Sequence, residues 1–387
     1  MRYFTEEKVA QLSNYPTPFF YYDLKLLDDT LDAINHAVKG APFKVHYAIK
    51  ANANDEILAR IKLKGFGIDC VSGNEIRKAI NSGFLAKNIA FAGVGKTDEE
   101  IGYGLEQEIF TFNVESLAEL KVINELAEQK HKVAGIAIRL NPNVNAKTHH
   151  YITTGLEENK FGINAWELPE LLELLPTLEN IHLKGIHFHI GSQINDLTVF
   201  KSLCNRVNDF QKQFKDRGIV LDHVNVGGGL GVNYTNPDQD SIPDFNSFFK
   251  VFKDFLLVEP GQEIHFELGR SVVAQCGSLI SKVLYIKEGI KTNFAIIDAG
   301  MTELIRPALY QSYHKIENIS AVTDSNSKKY DVVGPICESS DCFGKAIELP
   351  ETKRGDFIAI RTTGAYGEVM SSSYNLRDKA QAYYSTL

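Results

Sequence analysis

Between residues 45 and 268, short apolar runs alternate with helix-like segments, and this rhythm restricts the fold more than any other feature of the chain. The runs cover residues 45–50, 67–71, 89–93, 109–113, 133–140, 183–190, 223–226 and 264–268. Nearly continuous apolar strands suit a parallel sheet covered on both faces. Strands that take turns with helices predict that kind of sheet with its helices outside. Eight such units in succession predict a closed (β/α)8 TIM barrel, with its functional groups at the C-terminal ends of the strands. An open doubly wound sheet is the alternative, and it is disfavoured because no GxGxxG follows any of these runs.

From Ser271 the pattern changes to strand-like runs separated by turns, such as 278–285, 293–297 and 356–361. They predict a C-terminal mostly-β domain. The expected division is a barrel over 24–268 and a β domain over 269–387. Residues 1–23 are expected to add a strand to the β domain through Phe19-Phe20-Tyr21-Tyr22.

Composition narrows the class. A chain of 387 residues, 44% of them hydrophobic, has ample material for a barrel core and a second domain. A net charge of -8 argues against a nucleic-acid surface and for a soluble protein. No uncharged apolar run is long enough for a membrane span, and the first residues lack the apolar core of a signal peptide. The five cysteines (Cys70, Cys204, Cys276, Cys337 and Cys342) are scattered, and none forms a CxxC pair. Reduced thiols in the cytoplasm fit that pattern better than a disulfide framework.

The first barrel run, Val45-His46-Tyr47-Ala48-Ile49-Lys50, ends in a lysine. Alternation puts His46, Ala48 and Lys50 on one side. Burying an ammonium is costly. A desolvated lysine gives up its proton more readily and can condense with an aldehyde. The plainer reading is a lysine reaching from a strand end to water. His187-Phe188-His189 ends the sixth run. The two histidines are a possible metal pair, one could lie over a flat cofactor ring, and both could be hydrogen-bonded core residues. Gly227, Gly228 and Gly229 follow the seventh run, where barrels place phosphate groups, and glycines let backbone N–H groups converge on an anion. A turn is the alternative.

Glu267 and Arg270 end the eighth run. They can pair with each other, or the carboxylate can keep a pyridine nitrogen protonated. Gly93-Val94-Gly95-Lys96-Thr97 resembles a P-loop tail, but Ala90 stands where that motif needs glycine. In the C-terminal part, Cys337-Glu338-Ser339-Ser340-Asp341-Cys342 offers acid/base groups, or half of a metal site. Arg306 and Tyr310 offer a fork for a carboxylate, or a surface ion pair.

These stretches in order resemble the diaminopimelate decarboxylase family of pyridoxal 5'-phosphate (PLP) enzymes, and the similarity runs nearly end to end. Further matching stretches are Asp69-Cys70-Val71-Ser72-Gly73, residues 148–162 (THHYITTGLEENKFG), Asp298-Ala299-Gly300-Met301 and Gly364-Ala365-Tyr366-Gly367. The resemblance implies decarboxylation of meso-2,6-diaminopimelate to L-lysine and CO2, the last step of lysine biosynthesis. It also implies a homodimer with shared active sites. By motif, Lys50 would anchor PLP covalently and His189 would stack on its ring. Ser192, Gly227, Gly228, Gly229 and Tyr366 would hold its phosphate, and Glu267 its ring nitrogen. Arg270, Arg306 and Tyr310 would hold the substrate's distal carboxylate. Cys337, as proton donor, and Glu338, on the distal ammonium, would come from a second subunit.

One departure is Leu268, where the family pattern has proline. Three other functions remain in competition. They are a PLP decarboxylase of another basic amino acid or a carboxylated polyamine, a non-catalytic PLP-binding protein, and a metal-dependent barrel hydrolase using His187, His189 and a carbamylated Lys50. No nucleic-acid or membrane partner is expected.

Overall fold

The structure, a computed structural model, describes residues 3–144, 159–321 and 326–385. The chain begins with α1 (Glu6–Leu12), β1 (Phe19–Tyr22) and α2 (Leu24–Val38). The strands β2 (Phe43–Ala48), β3 (Gly67–Cys70), β4 (Ile89–Phe91), β5 (Thr111–Val114), β6 (Ala134–Arg139), β7 (Ile181–His187), β8 (His223–Asn225) and β9 (Glu263–Leu268) follow. They pair in that order, all parallel, and β9 closes on β2. The predicted TIM barrel is therefore the observed one. Its helices are α3 (Asp55–Leu63), α4 (Gly73–Asn81), α5 (Asp98–Glu106), α6 (Leu117–Gln129), α7 (Leu168–Leu174), α8 (Thr198–Asp216) and α9 (Phe245–Phe255).

The turns between strands and helices carry their own start signals. Ser72, Thr97 and Ser116 each accept a hydrogen bond from the backbone N–H three residues on, and so cap α4, α5 and α6. Thr97 and Glu100 complete a capping box. Alternation along β9 sends Phe266 outward against Phe248, Phe249 and Phe252 of α9. It turns His265 and Glu267 inward. At the floor of the barrel, His46 and His265 share a hydrogen bond of 2.9 Å between their rings.

Two differences from the expected strand ends bear on the site. β2 stops at Ala48, and Lys50 sits in a one-turn 3-10 segment (Ile49–Ala51) rather than on the strand itself. β7 stops at His187, so His189 lies beyond the strand. Leu268, the departure from the family pattern, is the last residue of β9 and pairs with Tyr47. The ladder fixes its backbone where proline would otherwise fix φ.

After β9 the chain continues through α10 (Arg270–Val273), β10 (Gly277–Glu288), β11 (Asn293–Ile297) and α11 (Arg306–Tyr310). Then come β12 (Ile316–Asn318), β13 (Ser327–Val333), β14 (Cys342–Pro350), β15 (Phe357–Arg361) and β16 (Gln381–Tyr384). The sheet order is β12-β15-β10-β11-β13-β14. β1 lies antiparallel to β10 and parallel to β16. Phe4, Leu12, Phe19, Tyr21, Ile280 and Phe357 belong to one buried cluster of this part.

The chain forms two compact units: residues 30–231 with 244–269, and residues 1–29, 232–243 and 270–387. Residues 232–243, expected within the barrel, thus belong to the β unit. Residues 24–29 do as well. Among the described residues, no helix is long and apolar enough to cross a membrane.

Candidate active site

In the barrel unit the polar side chains gather at the C-terminal ends of β2, β3, β5, β7, β8 and β9. The Lys50 side chain is 36% exposed, and its Nζ donates to Asp69 Oδ2 of β3 at 3.2 Å. Burial, and then the negative charge of Glu267, push the Asp69 carboxyl up to about 7, against the pull of Lys50. Asp69 Oδ1 is buried and meets no partner among the described residues.

Glu267 is surrounded by donors. Its Oε1 accepts from Asn113 Nδ2 at 3.1 Å and from Asn225 Nδ2 at 2.8 Å. Its Oε2 lies 3.0 Å from His187 Nε2. Burial alone would raise this carboxyl, but His187, Lys50 and His189 together hold it well below the usual carboxylate range. It is the ionised partner, so His187 carries its proton on Nε2 and donates. That bond removes His187 from any metal pair. Among the described residues, no group of three or more His, Cys, Asp or Glu side chains is arranged to hold a metal ion.

His189 is half-buried. Burial, followed by the positive charges of Arg139 and Lys50, pushes its imidazole down to about 3, so it is neutral. Arg139 donates to Glu115 Oε1 at 2.6 Å, and Glu115 also accepts from Gly93 N and Gly162 N. This pair ties the ends of β5 and β6 to the loop returning at Gly162. The matching stretch at 148–162 lies outside the described residues as far as position 158.

The glycine run folds back onto neighbouring backbone. Gly227 has φ +71° and donates to Asn225 Oδ1 at 2.9 Å. A Cβ on Gly228 would overlap the Glu267 carbonyl. Gly229 O accepts from Ile194 N at 2.8 Å, which fastens the loop bearing Ser192 to the run. Among the described residues, the N–H groups of Gly228 and Gly229 donate to no acceptor. Backbone donors left in this state suit an anion. The barrel groups therefore fit PLP: an amine for its aldehyde, a carboxylate for its ring nitrogen and a glycine cradle for its phosphate.

In the β unit, Arg270 and Arg306 are only 5% and 6% exposed. Arg270 Nη1 donates to Tyr234 OH at 2.6 Å, and its guanidinium lies 4.9 Å from the Tyr366 ring centre. Arg306 lies over Tyr310 and bonds Ser312 and His314. No described carboxylate pairs with Arg306, so the surface ion pair considered from sequence is not what it forms. Cys337 and Glu338 are exposed in the loop before β14. Beyond the loop's own backbone bonds, Cys337 N donates to Asn375 Oδ1 and Glu338 Oε1 accepts from Tyr374 OH, and neither residue bonds to the arginines among the described residues. Asp341 anchors that loop by accepting from Ile336 N and Met301 N. Cys342 and Cys337 are both free thiols.

Sequence reading missed Asp69, Asn113, Asn225, Arg139, Glu115, Tyr234 and His314 as site residues. Each is a single polar side chain whose partners come from distant strands or loops. The one available signal was a polar residue inside an otherwise apolar run, as with Asp69 and Asn113.

Residues 25–274 match the family model for the pyridoxal-binding domain of pyridoxal-dependent decarboxylases. The chain is 57% identical over 370 residues to a diaminopimelate decarboxylase of Bacteroides thetaiotaomicron, covering 95% of each. It is 41% identical to one from Haemophilus influenzae, covering 97% of this chain and 90% of that one. Its fold superposes, with a TM-score of 0.91, on the crystal structure of the Helicobacter pylori diaminopimelate decarboxylase complexed with L-lysine. That pair is 39% identical, over 99% of this chain and 94% of the other.

Proposed function

The chain belongs to the diaminopimelate decarboxylase family, and from that premise we propose how its own residues divide the work. Its reaction is the PLP-dependent decarboxylation of meso-2,6-diaminopimelate to L-lysine and CO2, the last step of lysine biosynthesis. When bound, PLP supplies an electron sink for the pair left behind as CO2 departs.

Lys50 Nζ would hold the cofactor's aldehyde until a substrate amine replaces it. Asp69 Oδ2, next to that nitrogen, takes and returns its proton. Glu267 would pair with the ring N–H and keep it charged, and His189 would cover one ring face and exclude water. Gly227, Gly228, Gly229, Ser192 and Tyr366 hold the phosphate. Arg270, Arg306 and Tyr310 hold the distal carboxylate. Cys337 and Glu338 are supplied by a second copy of the chain. The Cys337 thiol returns a proton to the carbon that lost CO2, and Glu338 takes the distal ammonium.

The observation that carries this reading is Glu267. It is a buried carboxylate held ionised by three side-chain donors, in the same strand-end cluster as Lys50. The homodimer is supported by the exposed Cys337-Glu338 loop and by apolar side chains exposed in the same unit, Leu309, Tyr313, Val369 and Leu376 among them. A cytoplasmic setting is supported by five free cysteines. We assign the cofactor to the barrel unit, residues 30–231 with 244–269, and the substrate's far end to the β unit, residues 1–29, 232–243 and 270–387.

CO2 release from meso-diaminopimelate, ornithine, arginine, lysine and a carboxylated polyamine tests the assignment. A site built for a distal carboxylate rejects analogues lacking it by about 10⁴-fold in kcat/KM. Faster turnover of any of the other substrates would transfer the function to the runner-up decarboxylase.

A further inference from the structure

Arg270 and Arg306 converge on a single oxygen. Arg270 Nη1 lies 2.6 Å from Tyr234 OH, and Arg306 Nη2 lies 3.4 Å from it. A phenolic oxygen has two lone pairs and one proton. Both lone pairs face guanidinium donors, so the proton must point away from the arginines. Among the described residues the hydroxyl donates to no acceptor.

The surroundings fix this arrangement. His314 packs its ring edge-on against Tyr234, with centroids 5.1 Å apart and planes at 82°. Its Nδ1 faces the Arg361 carbonyl at 2.9 Å and must carry the proton there. Its Nε2 is thereby left as an acceptor for Arg306 Nε at 3.3 Å. Burial, then the Arg306 charge, push this imidazole down to about 3, so it stays an acceptor at neutral pH. Arg361 in turn is held by Asp238 and Glu317. The plane of Arg306 and the tilt of Tyr234 therefore rest on one neutral histidine.

We propose that Tyr234 is a further specificity-determining residue, whose hydroxyl donates to the substrate's distal carboxylate as the third arm of a receptor formed with Arg270 and Arg306. This rests on the functional reading above. A carboxylate can accept from all three groups at once, whereas an ammonium can accept from none. The receptor distinguishes a far end carrying an amino-acid head from one carrying an amine alone, and His314 is its positioning residue.

The test is Tyr234→Phe in the holoenzyme, which removes one oxygen and its proton. The probes are meso-diaminopimelate for turnover, L-lysine, which keeps the distal head, and cadaverine, which lacks it. A lost hydrogen bond to a charged group predicts that KM for diaminopimelate and Kd for L-lysine rise by about 10- to 100-fold. Cadaverine affinity and kcat should stay nearly unchanged. Equal KM and Kd in variant and wild type would overturn the proposal, and so would an equal loss for cadaverine. A wild-type protein that neither turns over diaminopimelate nor binds L-lysine would overturn the functional reading, and this proposal with it. Should Tyr234→Phe not fold, 3-fluorotyrosine at position 234 keeps the hydroxyl and makes it more acidic. L-lysine should then bind more tightly at neutral pH, and its alkaline loss of binding should move to lower pH. An unchanged profile would overturn the proposal.

Discussion

The strand-end polar groups of the barrel unit and the cluster around Tyr234 in the β unit are both largely buried but are balanced in opposite ways. At the strand ends of the barrel, each acid meets hydrogen-bond donors. Glu267 is matched by His187 and two amides, Asp69 by Lys50, and Glu115 by Arg139. In the β unit, two buried guanidinium groups share a phenol, and Arg306 leans on a neutral histidine in place of a carboxylate. Breaking a satisfied buried pair leaves an uncompensated charge. Arg306, which no described carboxylate pairs, is instead suited to a ligand that brings one. On the proposed reading, the barrel positions the cofactor and the β unit recognises the acidic end of the substrate.

Variants that act on chemistry should separate from those that act on recognition. The largest expected effect is that of Cys337→Ala, with a loss of about 10² to 10⁴ in kcat for a missing proton donor and little change in L-lysine binding. Mixing it with Lys50→Ala should restore part of the activity if, as proposed, a second copy supplies Cys337. A mixture as inactive as its parents would contradict the shared site.

Glu267→Gln should lower kcat by about 10² with PLP still bound, as removal of one preorganised electrostatic group does. Full activity would remove Glu267 from its role. Arg306→Ala should act on the other side of the comparison. KM should rise by about 10- to 100-fold while the absorption of the bound cofactor is unaltered. Unchanged kinetics would remove Arg306 from substrate binding.

The smallest effect concerns pH. Burial, then the neighbouring His265, push His46 down to about 3 in the barrel floor. Its unfolded counterpart takes a proton near pH 6.5. Between those values the unfolded chain binds more protons, so the stability this residue contributes is present at neutral pH and lost as pH falls. The slope is at most about 1.4 kcal/mol per pH unit. Urea unfolding of wild type and His46→Gln at pH 7 and pH 5.5 should diverge in that direction. Parallel curves would mean that His46 titrates as it does in water.

The same contrast explains what could be read from sequence. The barrel was legible because each strand is a compact apolar run and Lys50, Glu267 and the glycines stand at strand ends. The extent of β7 was not. Phe188 N bonds to Asn225 O, and the chain then leaves the ladder, so His187 stays in the sheet against Glu267 while His189 does not. Tyr234 was hidden for a similar reason. It follows a barrel glycine run in sequence, but residues 232–243 belong to the β unit, and its partners lie 36 and 72 positions away. His314 acts through a choice of tautomer, and no local pattern shows one.

Borohydride reduction of the holoenzyme, followed by peptide mapping, is the most direct test of the central claim. The account predicts a pyridoxyl group fixed to Lys50 and to no other lysine. A cofactor fixed elsewhere, or a protein that takes up no PLP, would contradict it.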